Sequence, residues 1–276
     1  MIKTVKKSSM FLFVMLGISM LASGFVIADD TGFKWPHGAK AAVVLGYDDA
    51  LDSQLDNAIP SLNKFHFKGT FFVKLASSTI ANRLPEWRKA AKKGHELANH
   101  TLFHQCSHAG AGREWVLPQH DLDQMSLEQM IDQVTLSNTM LFAIDGKTER
   151  TMTTPCLDQK VAGGKNYVEA IKTMFVGIRD VGGSGVTPDM NTLDPAYVNV
   201  ILPSEVTGKQ LIAVVEDAAA KGTMANFTFH GIGGDYLTVS NEAHEELLKY
   251  LAKHKDIYWT DTFINVMKYA RAHQKK

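Results

Sequence analysis

The sequence predicts a largely parallel α/β domain built from repeated strand–helix units. Three observations lead there. Short strand-like runs alternate with longer helical stretches along the chain. The first run, Ala41-Ala-Val-Val-Leu-Gly-Tyr47, is apolar nearly throughout, as a strand covered on both faces must be. Asp48, His100, Pro155, Asp180 and His230 each stand just after a predicted strand, where a β/α barrel collects its functional residues. Seven or so such units predict a barrel, complete or incomplete.

The first 28 residues read as a secretory signal. Lys3, Lys6 and Lys7 form a positive n-region, and Met10 to Ser23 is an apolar segment too short for a comfortable membrane span. Val26 and Ala28 put small residues where cleavage before Asp29 requires them; the alternative is an uncleaved anchor. A single domain, residues 29–276, is expected beyond it, since no Pro/Ser-rich linker interrupts the chain.

Within that domain, Leu51 to Phe65 reads as a helix with Leu55, Ile59 and Leu62 on one face, and Gly69 to Val73 as the next strand. Glu86 to Lys93 is a polar helix closed by Gly94, and Glu96-Leu97-Ala98 a short strand delivering His100. The connection from Cys106 to Met125 is long enough to be functional or mobile. Ser126 opens a helix to Phe142. Further strands are expected at Arg150 to Thr154, Met174 to Arg179, Met224 to Phe229 and Asp256 to Thr260. Helices are expected at Lys165 to Thr173, Thr207 to Lys221, Asn241 to His254 and Thr262 to His273.

Composition, 45% hydrophobic and 21% charged, is that of a globular protein. Loss of the leader's three lysines would leave 26 basic against 29 acidic residues, a net charge of −3. Nothing in that balance attracts nucleic acid or an anionic membrane, whereas a neutral substrate such as a sugar polymer fits. Cys106 and Cys156 are the only cysteines. In an exported protein they either pair, closing a loop worth about 4 kcal/mol, or remain as two buried thiols.

The chemistry concentrates at Asp48, Asp49, His100 and His104. One carboxylate and two imidazoles suit a hydrolytic zinc site, and the second carboxylate is left over as a base. Histidines four apart are expected on one face of a helical turn, converging on one ion. Taken singly, adjacent aspartates are often a helix N-cap, and a lone histidine a satisfied core residue; the combination is what points to a metal.

The ordered segments Gly46-Tyr47-Asp48-Asp49, Asn99-His100-Thr101-Leu102-Phe103-His104, Thr154-Pro155-Cys156 and Thr228-Phe229-His230 resemble the polysaccharide deacetylases, the NodB-homology carbohydrate esterases. The resemblance runs from about Ala41 to Trp259. It implies a distorted (β/α)7 barrel holding one divalent ion, most often zinc, on Asp49, His100 and His104. Asp48 would be the general base and His230 the general acid, while the backbone N–H of Cys156 after Pro155 would face the developing oxyanion. Thr101 would brace the histidine turn through its side chain.

Three positions depart from the family pattern. Thr153 and Thr154 stand where an arginine holds the base aspartate; Arg179 is the candidate substitute, and Asp180 is expected to orient His230. Val181-Gly182-Gly183 replaces the usual tryptophan, and Thr228 replaces a leucine lining the acetyl-methyl pocket. Trp115 either stacks on a pyranose ring or packs its own loop. The glycine-rich runs at 182–185 and 231–234 lack a phosphate-binding fingerprint and read as tight turns.

The resulting expectation is a secreted or periplasmic metal-dependent enzyme that removes N- or O-acetyl groups from a carbohydrate. Chitin-type or peptidoglycan-type chains come first and acetylxylan second. No nucleic-acid partner and no membrane insertion after signal cleavage are expected. The rivals are a non-catalytic carbohydrate-binding protein on the same fold and another metallohydrolase such as a phosphoesterase.

Overall fold

The computed structural model describes residues 32–182 and 185–274. The expected signal segment, and Gly183 and Ser184 of the first glycine-rich run, lie outside the described residues. Among the described residues no helix is long and apolar enough to cross a membrane.

β1 (Ala41–Asp48) is buried along its whole length, as its apolar run requires. One edge pairs in parallel with β9 (Met224–Phe229), from Ala42↔Met224 to Tyr47↔Phe229. The other edge is shared by β10 (Tyr258–Thr260) below and β2 (Thr70–Val73) above. From β2 the sheet continues in parallel through β3 (Glu96–Asn99), β4 (Met152–Thr153), β7 (Ile178–Gly182) and β8 (Val198–Val200). A bridge between Ile201 and Phe227 joins the end of β8 to β9 and closes the ring. Seven strands thus enclose the interior and β10 lies outside the circuit, which makes the barrel distorted. A short antiparallel hairpin, β5 (Lys160–Val161) and β6 (Lys165–Asn166), stands apart from it.

The helices are α1 (Ile59–Lys64), α2 (Ser78–Lys92), α3 (Leu127–Asp145), α4 (Tyr167–Ile171), α5 (Gly208–Lys221), α6 (Asn241–Lys253) and α7 (Phe263–His273). Capping boxes at Ser126 and Thr207 start α3 and α5, and left-handed Gly146 and Gly222 end them. Leu211, Val215, Leu247 and Leu251 of α5 and α6 join the core cluster that contains Leu45 and Phe227.

Several expectations are corrected. The helix expected over 51–65 is a π-helical turn at Gln54–Ala58 followed by α1. Pro60 has no N–H to donate, so the regular α-ladder starts only there. Helix α2 begins eight residues before the expected start at Glu86 because Ser77 caps it; Pro85 is accommodated by a kink at Arg83 (φ −129°). The strand expected at 174–179 starts at Ile178 instead, since a 3₁₀ turn at Lys172–Met174 extends α4. Asp180 therefore sits inside β7 rather than after it. The three-residue β8 and the β5–β6 hairpin were not foreseen.

Candidate metal centre and active site

Asp48 ends β1 and Asp49 follows it with φ +79°, then Ala50 with φ +56°. Two left-handed non-glycine residues in succession are strained and need outside support. The Ala50 carbonyl supplies it, accepting from Ser77 Oγ at 2.8 Å and Thr79 Oγ1 at 2.6 Å. The reversal turns the two neighbouring carboxylates to different partners.

His100 follows β3. The expected helical turn from His100 to His104 is absent: Thr101 (φ +63°) and His104 (φ +59°) are left-handed, so this is a tight irregular turn. Side chains replace the helical hydrogen bonds. Asn99 Oδ1 accepts from Thr101 N at 2.8 Å, and Thr101 Oγ1 accepts from His104 N at 3.1 Å. The turn still brings the two rings to 4.8 Å between centroids, at 78°. His100 Nδ1 lies 3.0 Å from the Thr153 carbonyl, which places the proton on Nδ1 and leaves Nε2 free.

Asp49 Oδ1 lies 3.4 Å from His100 Nε2 and 3.5 Å from His104 Nε2. That oxygen is buried with no hydrogen-bond partner among the described residues. One ligand atom from each of the three residues falls within 4.8 Å of the others. Two ligands held about 2.1 Å from a tetrahedral ion stand about 3.4 Å apart, so the spacing and the donor set both fit a divalent cation. Burial alone would raise the Asp49 carboxyl, but the contact with His100 and the charges of His100, His104 and His230 hold it well below the ordinary range. Burial and the charge of His100 push His104 down to about 3, so its imidazole is neutral at physiological pH, the form that binds metal. His100 is shifted up: burial lowers it, but Asp49, Asp48 and the Thr153 carbonyl outweigh burial.

Asp48 faces a different partner. Arg179 Nη2 donates to Asp48 Oδ1, and Arg179 Nη1 donates to the Phe227 carbonyl at 3.1 Å. The guanidinium is fully buried over the Phe72 ring, 3.6 Å from its centroid. Burial pulls the guanidinium down and Asp48 opposes that. Gly46 makes the room: a Cβ there would lie 2.2 Å from Arg179 Nη1 and 2.7 Å from the Phe227 carbonyl oxygen.

His230 follows β9, with Nε2 3.7 Å from Asp49 Oδ2. Asp180 does not orient it. No hydrogen bond joins the two, and both Asp180 carboxylate oxygens are buried without a partner among the described residues. Burial first, and the charge of Asp194 second, raise its carboxyl to about 8. As a residue within β7, Asp180 lies below the strand end where His230 sits.

Pro155 opens a 3₁₀ turn, and Cys156 (φ +54°) is bonded to Cys106, tying that turn to the long loop. Arg113 anchors the same loop on Asp158 at 2.5 Å and on the Cys156 carbonyl at 3.3 Å. Cys156, Thr154, Thr228 and Trp115 line one cavity of about 730 Å³ with Asp48, Asp49, His100, His104 and His230. Trp115 is 55% exposed, and its ring stands 5.9 Å from that of His104.

Two contributors escaped the sequence reading. Tyr236 donates to Asp49 Oδ2 at 2.7 Å, leaving Oδ1 to the histidines. Burial, then the charge of Asp49, raises its phenol further, so it stays a neutral donor. The fully buried Gln54 donates through Nε2 to both the Asp48 and the His230 carbonyls, clamping the two strand ends together. The odd feature that marked Gln54 was a polar residue on the inner face of a helical segment.

A parallel barrel with one carboxylate and two imidazoles converging at its strand ends defines the class: a β/α barrel with a candidate hydrolytic metal centre. The family model for polysaccharide deacetylases matches residues 36–168. Similar solved structures include a protein from Mycobacterium smegmatis described as a polysaccharide deacetylase (TM-score 0.59, 14% identity, 89% of this chain and 95% of that one). A second is the CE4 domain of a multidomain xylanase from the hindgut metagenome of Trinervitermes trinervoides (0.54, 15%, 86% and 95%). A third is the catalytic domain of a peptidoglycan N-acetylglucosamine deacetylase from Eubacterium rectale (0.53, 17%, 86% and 93%). No curated protein matches the sequence. Residues 36–168 are thus similar to the polysaccharide deacetylases, and the solved structures share the fold.

Proposed function

We propose that this protein hydrolyses an acetyl amide or ester on a carbohydrate, using one divalent ion, zinc by preference, held by Asp49, His100 and His104. The observation that carries this reading is the unpartnered Asp49 Oδ1 facing two imidazole nitrogens at 3.4 and 3.5 Å, beside a second carboxylate engaged elsewhere. A divalent ion supplies polarisation of the acetyl carbonyl and a lowered pKa for water.

Asp48 is the base. Arg179 occupies Oδ1, which leaves Oδ2 to take a proton from the attacking water. The Cys156 N–H, on the turn opened by Pro155, stabilises negative charge on the acetyl oxygen. His230, on the far side of Asp49, gives a proton to the departing amine or alcohol. Tyr236 and Thr101 hold the ligands in place. Thr228 and Trp115 are assigned to substrate contact. We also place the protein outside the cytoplasm, secreted or periplasmic, on the strength of its leader and of the Cys106–Cys156 disulfide.

Acetate release from chitooligosaccharides, peptidoglycan and acetylxylan, with and without chelator, tests the reaction. Asp48→Asn is expected to retain the metal and lose turnover, and His104→Ala to lose the metal. Metal loss in Asp48→Asn would overturn the assignment of roles. Absence of acetate from every sugar, in protein shown to hold its ion, would leave a binding protein.

A further inference from the structure

Six of the nine exposed large hydrophobic side chains among the described residues line the same cavity as the Asp–His cluster: Phe103, Trp115, Leu117, Leu202, Tyr236 and Leu237. Soluble proteins rarely leave that much apolar surface in one place unless a ligand or partner covers it. The six come from segments after different strands. Phe103, Trp115 and Leu117 follow β3, Leu202 follows β8, and Tyr236 and Leu237 follow β9. Around the barrel two strands separate β3 from β9 on one side and from β8 on the other, so the apolar walls rise on opposite sides of the metal cluster.

Groups able to read sugar hydroxyls are scarce on these walls. Beyond the proposed catalytic and metal-holding residues, the polar side chains of the lining are Lys74, His120, Thr154 and Thr228. His120 is itself stacked on Phe103, 4.6 Å between centroids at 9°, and so extends the aromatic wall. Aromatic faces alone would suit a pyranose ring, but three leucines offer a sugar no hydrogen bond and lose nothing by meeting hydrocarbon.

We infer that the substrate carries an apolar group, alkyl or aryl, on the alcohol or amine side of its scissile acetyl bond. The inference rests on the deacetylase reading of the site. An acetyl group fills a small part of a cavity of about 730 Å³, so the remainder of the molecule meets the leucines. A preferred substrate is therefore a short acetylated glycoside with a hydrophobic aglycone rather than an extended hydrophilic chain.

The test compares methyl and hexyl β-glycosides of N-acetylglucosamine, with chitotetraose beside them, on metal-loaded enzyme. The hexyl glycoside is expected to show a KM at least tenfold below the methyl one at similar kcat. Tenfold is about 1.4 kcal/mol, roughly what two buried methylenes contribute. Leu117→Ser with Leu237→Ser, both at exposed positions, should abolish that contrast. Calorimetric binding of methyl and hexyl glucosaminide, the deacetylated products, gives the same comparison without turnover. Equal KM values and equal product affinities for the two glycosides, or a lower KM for chitotetraose than for the hexyl glycoside, would overturn the inference and leave the deacetylase reading standing. Tighter binding of hexyl glucosaminide without acetate release from any sugar would support the apolar site and sink the deacetylase reading instead.

Discussion

Removing the Arg179 guanidinium should destabilise the protein strongly, and removing the Asp48 charge as well should add little to the loss. Arg179 is fully buried and Asp48 is 5% exposed. At hydrogen-bond separation and an effective dielectric near 20, two unit charges attract by roughly 5 kcal/mol. Desolvation of both ions offsets much of that, so the intact pair adds little net stability. Breaking it is another matter. Arg179→Met leaves a buried carboxylate facing no cation, at a cost of about 3–5 kcal/mol. It also deletes the hydrogen bond to the Phe227 carbonyl and the stacking on Phe72. Asp48→Asn costs less, about 2 kcal/mol, because the amide oxygen still accepts from Arg179. In the double variant neither charge is stranded, so the combined loss should fall short of the sum by about 2 kcal/mol. Urea unfolding at fixed metal concentration measures the cycle. Additivity within about 0.5 kcal/mol would show that the two groups are not coupled and refute the pairing. Acetate release gives a second readout. With the cation gone, the base carboxylate loses the group that holds it, so kcat should fall with KM little changed. An unchanged kcat removes Arg179 as the partner of the base.

Three further outcomes follow from single contacts. Tyr236→Phe frees Asp49 Oδ2 and should weaken zinc binding by roughly 10–100-fold in a chelator competition, while far-UV circular dichroism stays the same; equal affinity would reduce Tyr236 to a cavity wall. Gly46→Ala places a methyl 2.2 Å from Arg179 Nη1 and should lower stability by about 1–3 kcal/mol with a loss of turnover; an unshifted urea midpoint contradicts the crowding. The Asp180 carboxyl, raised to about 8 by burial and by Asp194, favours the protonated folded state, so its contribution is present below the ordinary carboxylate value and is lost as pH climbs through 8. Asp180→Asn should therefore gain on the native protein between pH 5 and pH 8, by up to about 1.4 kcal/mol per unit, and parallel stability curves would deny the raised value.

The parts of the fold legible in the sequence were those with strong local signals. β9 matches its expected limits, and α5, α6 and α7 differ from theirs by single residues, because capping residues and continuous apolar patterns mark the ends. β8 is only three residues long and depends on pairing with β7 and on the Ile201–Phe227 bridge, neither visible from Val198-Asn-Val200. The site divides similarly. Asp49, His100 and His104 sit in short sequence motifs and could be named, yet their turn geometry could not. The 100–104 reversal is set by Asn99 and Thr101 side chains, which resemble ordinary polar residues in the one-dimensional chain. Tyr236 is 187 residues from Asp49 along the chain, and no local pattern announces their contact.

The displaced arginine shows what the site constrains. In the family pattern the cation precedes the proline of the third motif, on what is here β4, where this chain has Thr153 and Thr154. Arg179 stands on the next strand, and the register pairs it with Thr153 itself. Relative to that pattern the charge stands one strand to the side, at the same level along the barrel axis. From that level the guanidinium crosses the interior to Asp48, provided nothing fills the path. Gly46, two residues before Asp48 on β1, keeps it clear, since any side chain there would collide with Arg179 Nη1. Gly46 and Arg179 are thus one device in two places. Restoring an arginine at Thr153 would then set two guanidinium groups at one level of the barrel, with a single carboxylate to pair them. A buried cation left without a partner costs several kcal/mol, so that substitution should be tolerated only together with loss of Arg179.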